Sequence, residues 1–188
     1  MATATEQAET IGHDWVQVGP ASSLAATGRM HTCLQGRYVS VLKVKGQLTC
    51  IDSICFHAGG PLSLGDIEEV NGKTCLNCPW HNYKIDAFTG EKYYQSVTWQ
   101  DGKMLPGEWK SNGPRHRIHQ VESRPDGMIY VRLDSTPGEM PSDGYAFDAA
   151  CGQRVLGTPN TAAGQAGATA GADGKRTATP GWLLSRLG

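Results

Sequence analysis

The chain has 188 residues, with 17 Lys and Arg against 18 Asp and Glu, a net charge of −1. That length allows one core and a tail, and the balanced charge gives neither the basic footprint of a nucleic-acid binder nor a reason to expect a strongly charged partner. No apolar run approaches the roughly 18 residues needed to span a membrane, so no membrane span is expected.

Residues 1–12 are polar, small and without periodicity, and are expected to be disordered. The opening MATATEQAETIGHDW carries Glu6 and Glu9 but no Lys or Arg, so it reads as neither a secretory signal nor a basic transit peptide. Asp14 to Gly19 (DWVQVG) alternates apolar and polar residues as an edge strand does, and Ala21 to Ala26 is expected to be a turn with little structure. Arg37 to Val44 (RYVSVLKV) and Leu48 to Ile54 (LTCIDSI) flank Lys45-Gly46 and read as a hairpin that delivers the chain to Cys55. Gly65 to Val70 and Asn71-Gly72 are expected to turn. Lys73 to Leu76 reads as a short strand, and Lys84 to Phe88 as another that ends in a Thr89-Gly90 turn. Gln95 to Pro114, with Trp99, Pro106, Trp109 and Pro114, is expected to be an irregular loop. Arg117 to Ser123 and Met128 to Leu133 flank Pro125-Asp126-Gly127, a hairpin signal that closes the domain.

From Ser135 the composition shifts. Residues 135–156 are expected to form an extension packed on or near the domain. Residues 157–181, rich in Gly, Ala and Thr, read as a flexible linker. The last seven residues, WLLSRLG (182–188), are apolar again but too few for a stable lone helix. A frayed end, docking back on the domain and docking on a partner all remain open for Trp182 to Leu187.

The chemistry concentrates between Cys55 and His81, in Cys-x-His followed by Cys-x-x-His: Cys55, His57, Cys78 and His81. Two soft thiolates and two imidazoles suit zinc or an iron–sulfur cluster, not magnesium or calcium. Zinc sites of this composition usually pair Cys with Cys and His with His along the chain, and the alternating order here argues against that. A Rieske [2Fe–2S] centre needs two Cys on one iron and two His on the other, so each loop would then touch both irons. Zinc and the chance proximity of loop residues stay open as alternatives. Gly59, Gly60 and Pro61 would let main-chain N–H groups approach the sulfides.

Four further cysteines remain. Cys33, Cys50 and Cys75 read as small strand residues. Cys75 and Cys78 form C-x-x-C, but Cys78 is already committed to the metal set. Cys151 is expected in a flexible region, as an idle or a reactive thiol. Spare thiols fit a reducing, cytoplasmic compartment. His116 and His119, three apart on a strand, would face opposite sides and make no second metal site, and His13 and His31 stand alone.

The segments CFHAGGPL and CPWHNYKIDAFTG resemble the two cluster-binding boxes of Rieske ferredoxins and of the Rieske domains of aromatic-ring oxygenases. The likeness continues through YQS (94–96), KSNGPRHRIHQV and MIYVRL, and is most similar to soluble eukaryotic-type Rieske domain-containing proteins. The resemblance implies an all-β Rieske fold over residues 13–134, with stacked antiparallel sheets and a small subdomain carrying two ligand loops. It implies a [2Fe–2S] cluster held by Cys55, His57, Cys78 and His81, and a proline-containing loop over it, for which Gly113-Pro114 is the candidate.

It also implies a one-electron carrier between a reductase and an oxygenase or other acceptor, a monomer in the simplest case. The alternative is a Rieske subunit or redox sensor within a larger oxidoreductase. An oxygenase is not expected: no D-x-x-H-x-x-x-x-H run follows His81, and the remaining length cannot hold a catalytic mononuclear iron domain. By the same resemblance the histidine-bound iron takes the electron, and the potential falls with pH at alkaline values. High-potential relatives brace their loops with a disulfide and place Ser and Tyr hydroxyls near the cluster. Here the corresponding positions are Gly60, Trp80, Tyr83 and Ile85, so a potential in roughly the lower third of the Rieske range of about −150 to +300 mV is expected.

Overall fold

The structure, a computed structural model, describes residues 14–157. The expectations for residues 1–12, for the linker beyond Gly157 and for Trp182 to Leu187 lie outside the described residues. Among the described residues, eleven strands make two antiparallel sheets. The first, in the order β1-β11-β10-β4-β3-β2, is built from β1 (Val16–Pro20), β2 (Arg29–Leu34), β3 (Arg37–Val44), β4 (Gln47–Asp52), β10 (Ile118–Ser123) and β11 (Met128–Arg132). The second runs β5 (Ile67–Val70), β6 (Lys73–Asn77), β7 (Lys84–Asp86), β8 (Glu91–Gln100) and β9 (Lys103–Pro114) in sequence order.

The run RYVSVLKV is apolar on both sides because β3 separates two cores. Successive side chains of a strand point to opposite faces. Val39 and Val41 join Val18, Leu34, Ile129 and Val131 on one side. Leu42 and Val44 join Ile51, Leu62, Leu76 and Ile85 on the other. Cys55 and Cys78 belong to this second core. The site-bearing sheet is an insertion: β4 leaves the first sheet at Asp52, and the chain returns in β10, where Ile118 pairs with Ile51. The Asp52 N–H donates to the Arg117 carbonyl at 3.2 Å, closing the doorway.

Four two-residue hairpins share one backbone. Gln35-Gly36, Lys45-Gly46, Asn71-Gly72 and Asp101-Gly102 all have positive φ at both positions, the geometry whose twist matches paired strands. Two of them correct the sequence reading. Gln35-Gly36 turns β2 into β3, so Arg29–Leu34 is a strand that the sequence reading did not assign. Asp101-Gly102 joins β8 to β9, so Gln95 to Pro114 is not a loop but most of a long two-stranded ribbon. Pro106, which has no N–H to give, sits opposite Val97 beside an irregularity in the pairing, on an edge strand where it is tolerated.

Two smaller corrections follow. Part of the expected turn at Ala21 to Ala26 is a short helix, α1 (Ser23–Thr27), which buries Leu24 in the first core. The turn expected over Gly65 to Val70 contains β5, paired with β6 from Ile67↔Leu76 to Val70↔Lys73.

Beyond β11 the chain forms α2 (Asp143–Ala146) and α3 (Ala149–Leu156). The Asp148 side chain caps α3 by accepting from the Cys151 N–H at 2.9 Å. Cys151 is therefore not in a flexible region: it is buried with Tyr38 and Ile54. Gly152 lies flat on Tyr38, where an added Cβ would come within 2.2 Å of the ring.

Candidate metal centre

The two ligand-type loops are the same backbone device used twice. In the first, the Cys55 N–H donates to the Gly60 carbonyl at 2.8 Å and the Gly59 N–H returns to the Cys55 carbonyl at 3.0 Å. In the second, the Cys78 N–H donates to the Tyr83 carbonyl at 2.9 Å and the Asn82 N–H returns to the Cys78 carbonyl at 2.8 Å. Each loop closes through a left-handed residue four positions after its cysteine, Gly59 at φ 72° and Asn82 at φ 56°. Glycine and asparagine are the residues that adopt this conformation most readily.

The structure brings the four candidate side chains together as two pairs. Cys55 and Cys78 are buried side by side in the second core. The neighbouring Cys55 thiol, helped by the main-chain N–H groups of Trp80 and His81, holds Cys78 below the ordinary thiol range against its burial. The Cys78 thiol and burial push Cys55 up. His57 and His81 are exposed and stand edge to face, ring centroids 4.7 Å apart. Gly60 makes room between the loops: a Cβ there would come within 3.1 Å of the Trp80 ring and 3.2 Å of the Cys78 Sγ. Among the described residues no three of His, Cys, Asp and Glu converge to hold a single metal ion. The arrangement is thiol with thiol and imidazole with imidazole.

An aromatic wall supports the pairs. Tyr83 stacks on Phe56 at 5.7 Å and meets His57 edge-on at 4.5 Å. His116, which nothing in its neighbouring residues places here, completes the wall against Phe56 at 5.7 Å. It is buried, and its Nε2 accepts the Phe56 N–H at 3.3 Å. That hydrogen bond leaves the ring proton on Nδ1, which has no hydrogen-bond partner.

His116→Phe should therefore orphan the Phe56 N–H and cost about 1–3 kcal/mol. His116→Gln, which offers a new acceptor, should recover part of that. Denaturation midpoints and the exchange rate of the Phe56 amide would show it, and an unchanged amide in His116→Phe would refute the role.

Burial also lowers His116 to about 4, and burial, helped by Arg29, lowers His31 to about 4. Between pH 4 and an ordinary histidine value near 6.5 the unfolded chain then binds more protons than the folded one. Stability should fall as pH drops through that window, which urea midpoints at pH 7 and pH 5 would reveal. Midpoints that rise toward pH 5 would contradict it.

The expected cover, Gly113-Pro114, is elsewhere: Pro114 ends β9 opposite Glu91. The segment from Glu139 to Tyr145, which contains Pro141, lies beside Phe56 and His57 instead, and with them lines a hollow of about 670 Å³. A buried ion network fixes this segment. Arg37 bonds Asp52 through Nε and Nη2, both at 2.6 Å, and Asp143 at 2.6 Å. Arg117 bonds Asp143 twice at 2.8 Å and Asp134 at 2.9 Å. Ser142 donates its hydroxyl to Asp52.

Residues 16–136 match the model of the soluble Rieske-type ferredoxin. The chain belongs to that family. This ferredoxin is 42% identical over 131 residues to a Rieske domain-containing protein of Homo sapiens, covering 70% of its own length and 82% of the relative's. It is 25% identical over 92 residues to the ferredoxin component of the naphthalene 1,2-dioxygenase system of Pseudomonas putida, covering 49% of its own length and 84% of the relative's. Among solved structures, a chain in the complex of reduced oxygenase and oxidized ferredoxin in carbazole 1,9a-dioxygenase superposes with a TM-score of 0.46 at 20% identity. That match covers 66% of this ferredoxin and 98% of the other chain. The family implies a [2Fe–2S] cluster and a role in electron transfer. Among the described residues of this ferredoxin, no helix is long and apolar enough to cross a membrane.

Proposed function

We propose that this ferredoxin carries single electrons from a reductase to an oxygenase-type acceptor. In this reading Cys55 and Cys78 hold one iron of a [2Fe–2S] cluster, and His57 and His81 hold the other. The observation that carries it is the division of the four side chains into a buried thiol pair and an exposed imidazole pair. One tetrahedral ion would need all four on a single centre, whereas a two-by-two set fits a dinuclear cluster. When bound, the cluster supplies a one-electron couple within about −150 to +300 mV.

The chain's own part is positional. The thiols lie in the core under Leu62, Leu76 and Ile85, away from water, and the imidazoles face outward. An electron therefore has its short route to a partner at the histidine edge. The ferredoxin component of a dioxygenase system among the relatives supports an oxygenase-type acceptor. Six free cysteines support a reducing, cytoplasmic setting, and a monomer suffices for this role.

The test is EPR before and after dithionite, with iron and sulfide quantified. A reduced [2Fe–2S] signal with average g below that of four-cysteine clusters is expected, with a midpoint in roughly the lower third of the Rieske range. Cys78→Ala and His57→Ala should each abolish the signal. Zinc bound in place of iron would end the carrier reading, and a midpoint well above about +200 mV would end the low-potential assignment.

A further inference from the structure

We infer that α3, with Tyr145 of α2, is a brace across the two ligand-type loops, and that Cys151, Gly152 and Arg154 are positioning residues that keep those loops together. This rests on the carrier reading above and names further residues that serve the same site. Each pair at the site takes one member from each loop: Cys55 and His57 come from the first, Cys78 and His81 from the second. Parting the loops would therefore split the thiol pair and the imidazole pair at once. No disulfide ties the loops, since all six cysteines are free.

The brace touches both loops from outside. On the first, a Cβ added at Gly59 would come within 2.7 Å of the Cys151 Sγ and 3.0 Å of the Tyr145 ring. Cys151 also packs against Ile54, the residue before Cys55. On the second, the Arg154 guanidinium stands 5.2 Å over Trp80, within cation–π reach. Trp80 in turn meets His81 edge-on at 6.5 Å and closes on Gly60 of the first loop. Cys151 and Arg154 are three apart on α3 and so share a face, and the Arg154 Nη1 reaches the Cys151 Sγ at 3.7 Å. One turn of helix thus joins the contact with the first loop to the contact with the second.

The other side of the brace is grounded on the first sheet. Gly152 lets α3 lie against Tyr38 of β3 more closely than any side chain would allow. Val155 is buried. Ser142 and Asp143, at the start of α2, are tied to Asp52 and Arg37. Both helices lie outside residues 16–136, the stretch that matches the family model. A segment fixed to one sheet and resting on both loops of the other raises the cost of opening those loops. Such local opening has its own free energy, separate from global unfolding.

The test uses the full chain loaded with its cluster. Loss of visible absorbance is followed in native buffer with excess EDTA, beside urea midpoints and hydrogen exchange by mass spectrometry over residues 55–60 and 78–83. Gly152→Ala should lift α3 off Tyr38, speed iron loss about tenfold or more and speed exchange in both loops. Arg154→Ala removes the contact with the second loop alone. It should speed iron loss about threefold and exchange in residues 78–83 only, and Arg154→Lys, which keeps a cation over Trp80, should restore both. Leu24→Ala is the control, in the first core under α1. It should lower the urea midpoint further than Arg154→Ala does yet leave iron loss and loop exchange at wild-type rates.

Iron loss that follows the urea midpoints, with Leu24→Ala faster than Arg154→Ala, would overturn the brace, and so would wild-type rates in Arg154→Ala. Should Gly152→Ala fail to fold, the Arg154 pair decides alone. In each of these cases wild type still holds its cluster and the carrier reading stands. A wild-type chain that takes up no cluster would overturn both.

Discussion

Asp52→Ala is expected to remove a large share of the protein's folding stability, about 3–5 kcal/mol. Asp52 ends β4 with a fully buried carboxylate. It accepts two hydrogen bonds from Arg37 at 2.6 Å, one from the His119 Nε2 at 3.1 Å and one from the Ser142 hydroxyl. Removing it strands the Arg37 guanidinium in the interior with Asp143 as its remaining carboxylate. Breaking one side of a buried pair costs about 3–5 kcal/mol, against a typical domain stability of about 5–15 kcal/mol.

Burial pushes the Asp52 carboxyl up, but the hydrogen bonds from His119 and Arg37 and the Arg37 charge more than offset it. They hold Asp52 well below the ordinary carboxylate range. Its contribution is therefore present above about pH 4 and is lost as pH falls toward the folded value. Urea denaturation of Asp52→Ala and Asp52→Asn would test this, with Asn, which keeps the shape but not the charge, falling between Ala and wild type. A midpoint shift worth under about 1 kcal/mol in the Ala variant would show that the network adds little.

Gly65→Ala should be nearly as damaging, for a reason unrelated to backbone freedom. Gly65 has φ −70° and ψ 162°, a conformation open to alanine. Its Cβ, however, would lie 1.9 Å from the Asn77 carbonyl oxygen, and Asn77 immediately precedes Cys78. The Asn77 N–H donates to the Asp66 carbonyl at 2.8 Å, so the methyl must push the Gly65–Asp66 segment away from the end of β6, the strand that leads into the second loop. We expect a loss of about 3 kcal/mol or more, the upper end of overpacking costs, and a greatly reduced cluster content. Gly72→Ala is the control. It sits at φ 75° with nothing within 4 Å of its Cβ and should cost only about 1 kcal/mol with the cluster content unchanged. If the two variants behaved alike, close approach at Gly65 would not be the reason for its glycine.

The sequence made the site legible because its information is local. Cys-x-His and Cys-x-x-His name a set of soft candidate ligands by spacing alone, and Lys45-Gly46 and Asn71-Gly72 announce turns. What it hid was non-local. His116 is one histidine among six until β10 folds back beside β4 and sets it against Phe56. Pro141 reaches the first loop only because Arg37, Arg117 and Asp52, far apart in the chain, converge on Ser142 and Asp143. The ribbon of β8 and β9 carried an Asp-Gly hairpin signal as strong as any. Its outer part packs on no core, leaving Val97, Trp99 and Met104 more than half exposed, so the usual buried face was missing and Pro106 further disguised the strand.

The pairing of β1 with β11 has a mechanical consequence. Val16 lies opposite Val131 and Pro20 opposite Met128, so tension applied between residues 16 and 132 would open that ladder from its end, one rung after another. The insertion between Asp52 and Arg117 hangs from neighbouring strands at its own closed doorway, outside the line of force. Pulled in this way, the framework would unzip at its first and last strands before any load reached the loops that carry Cys55, His57, Cys78 and His81.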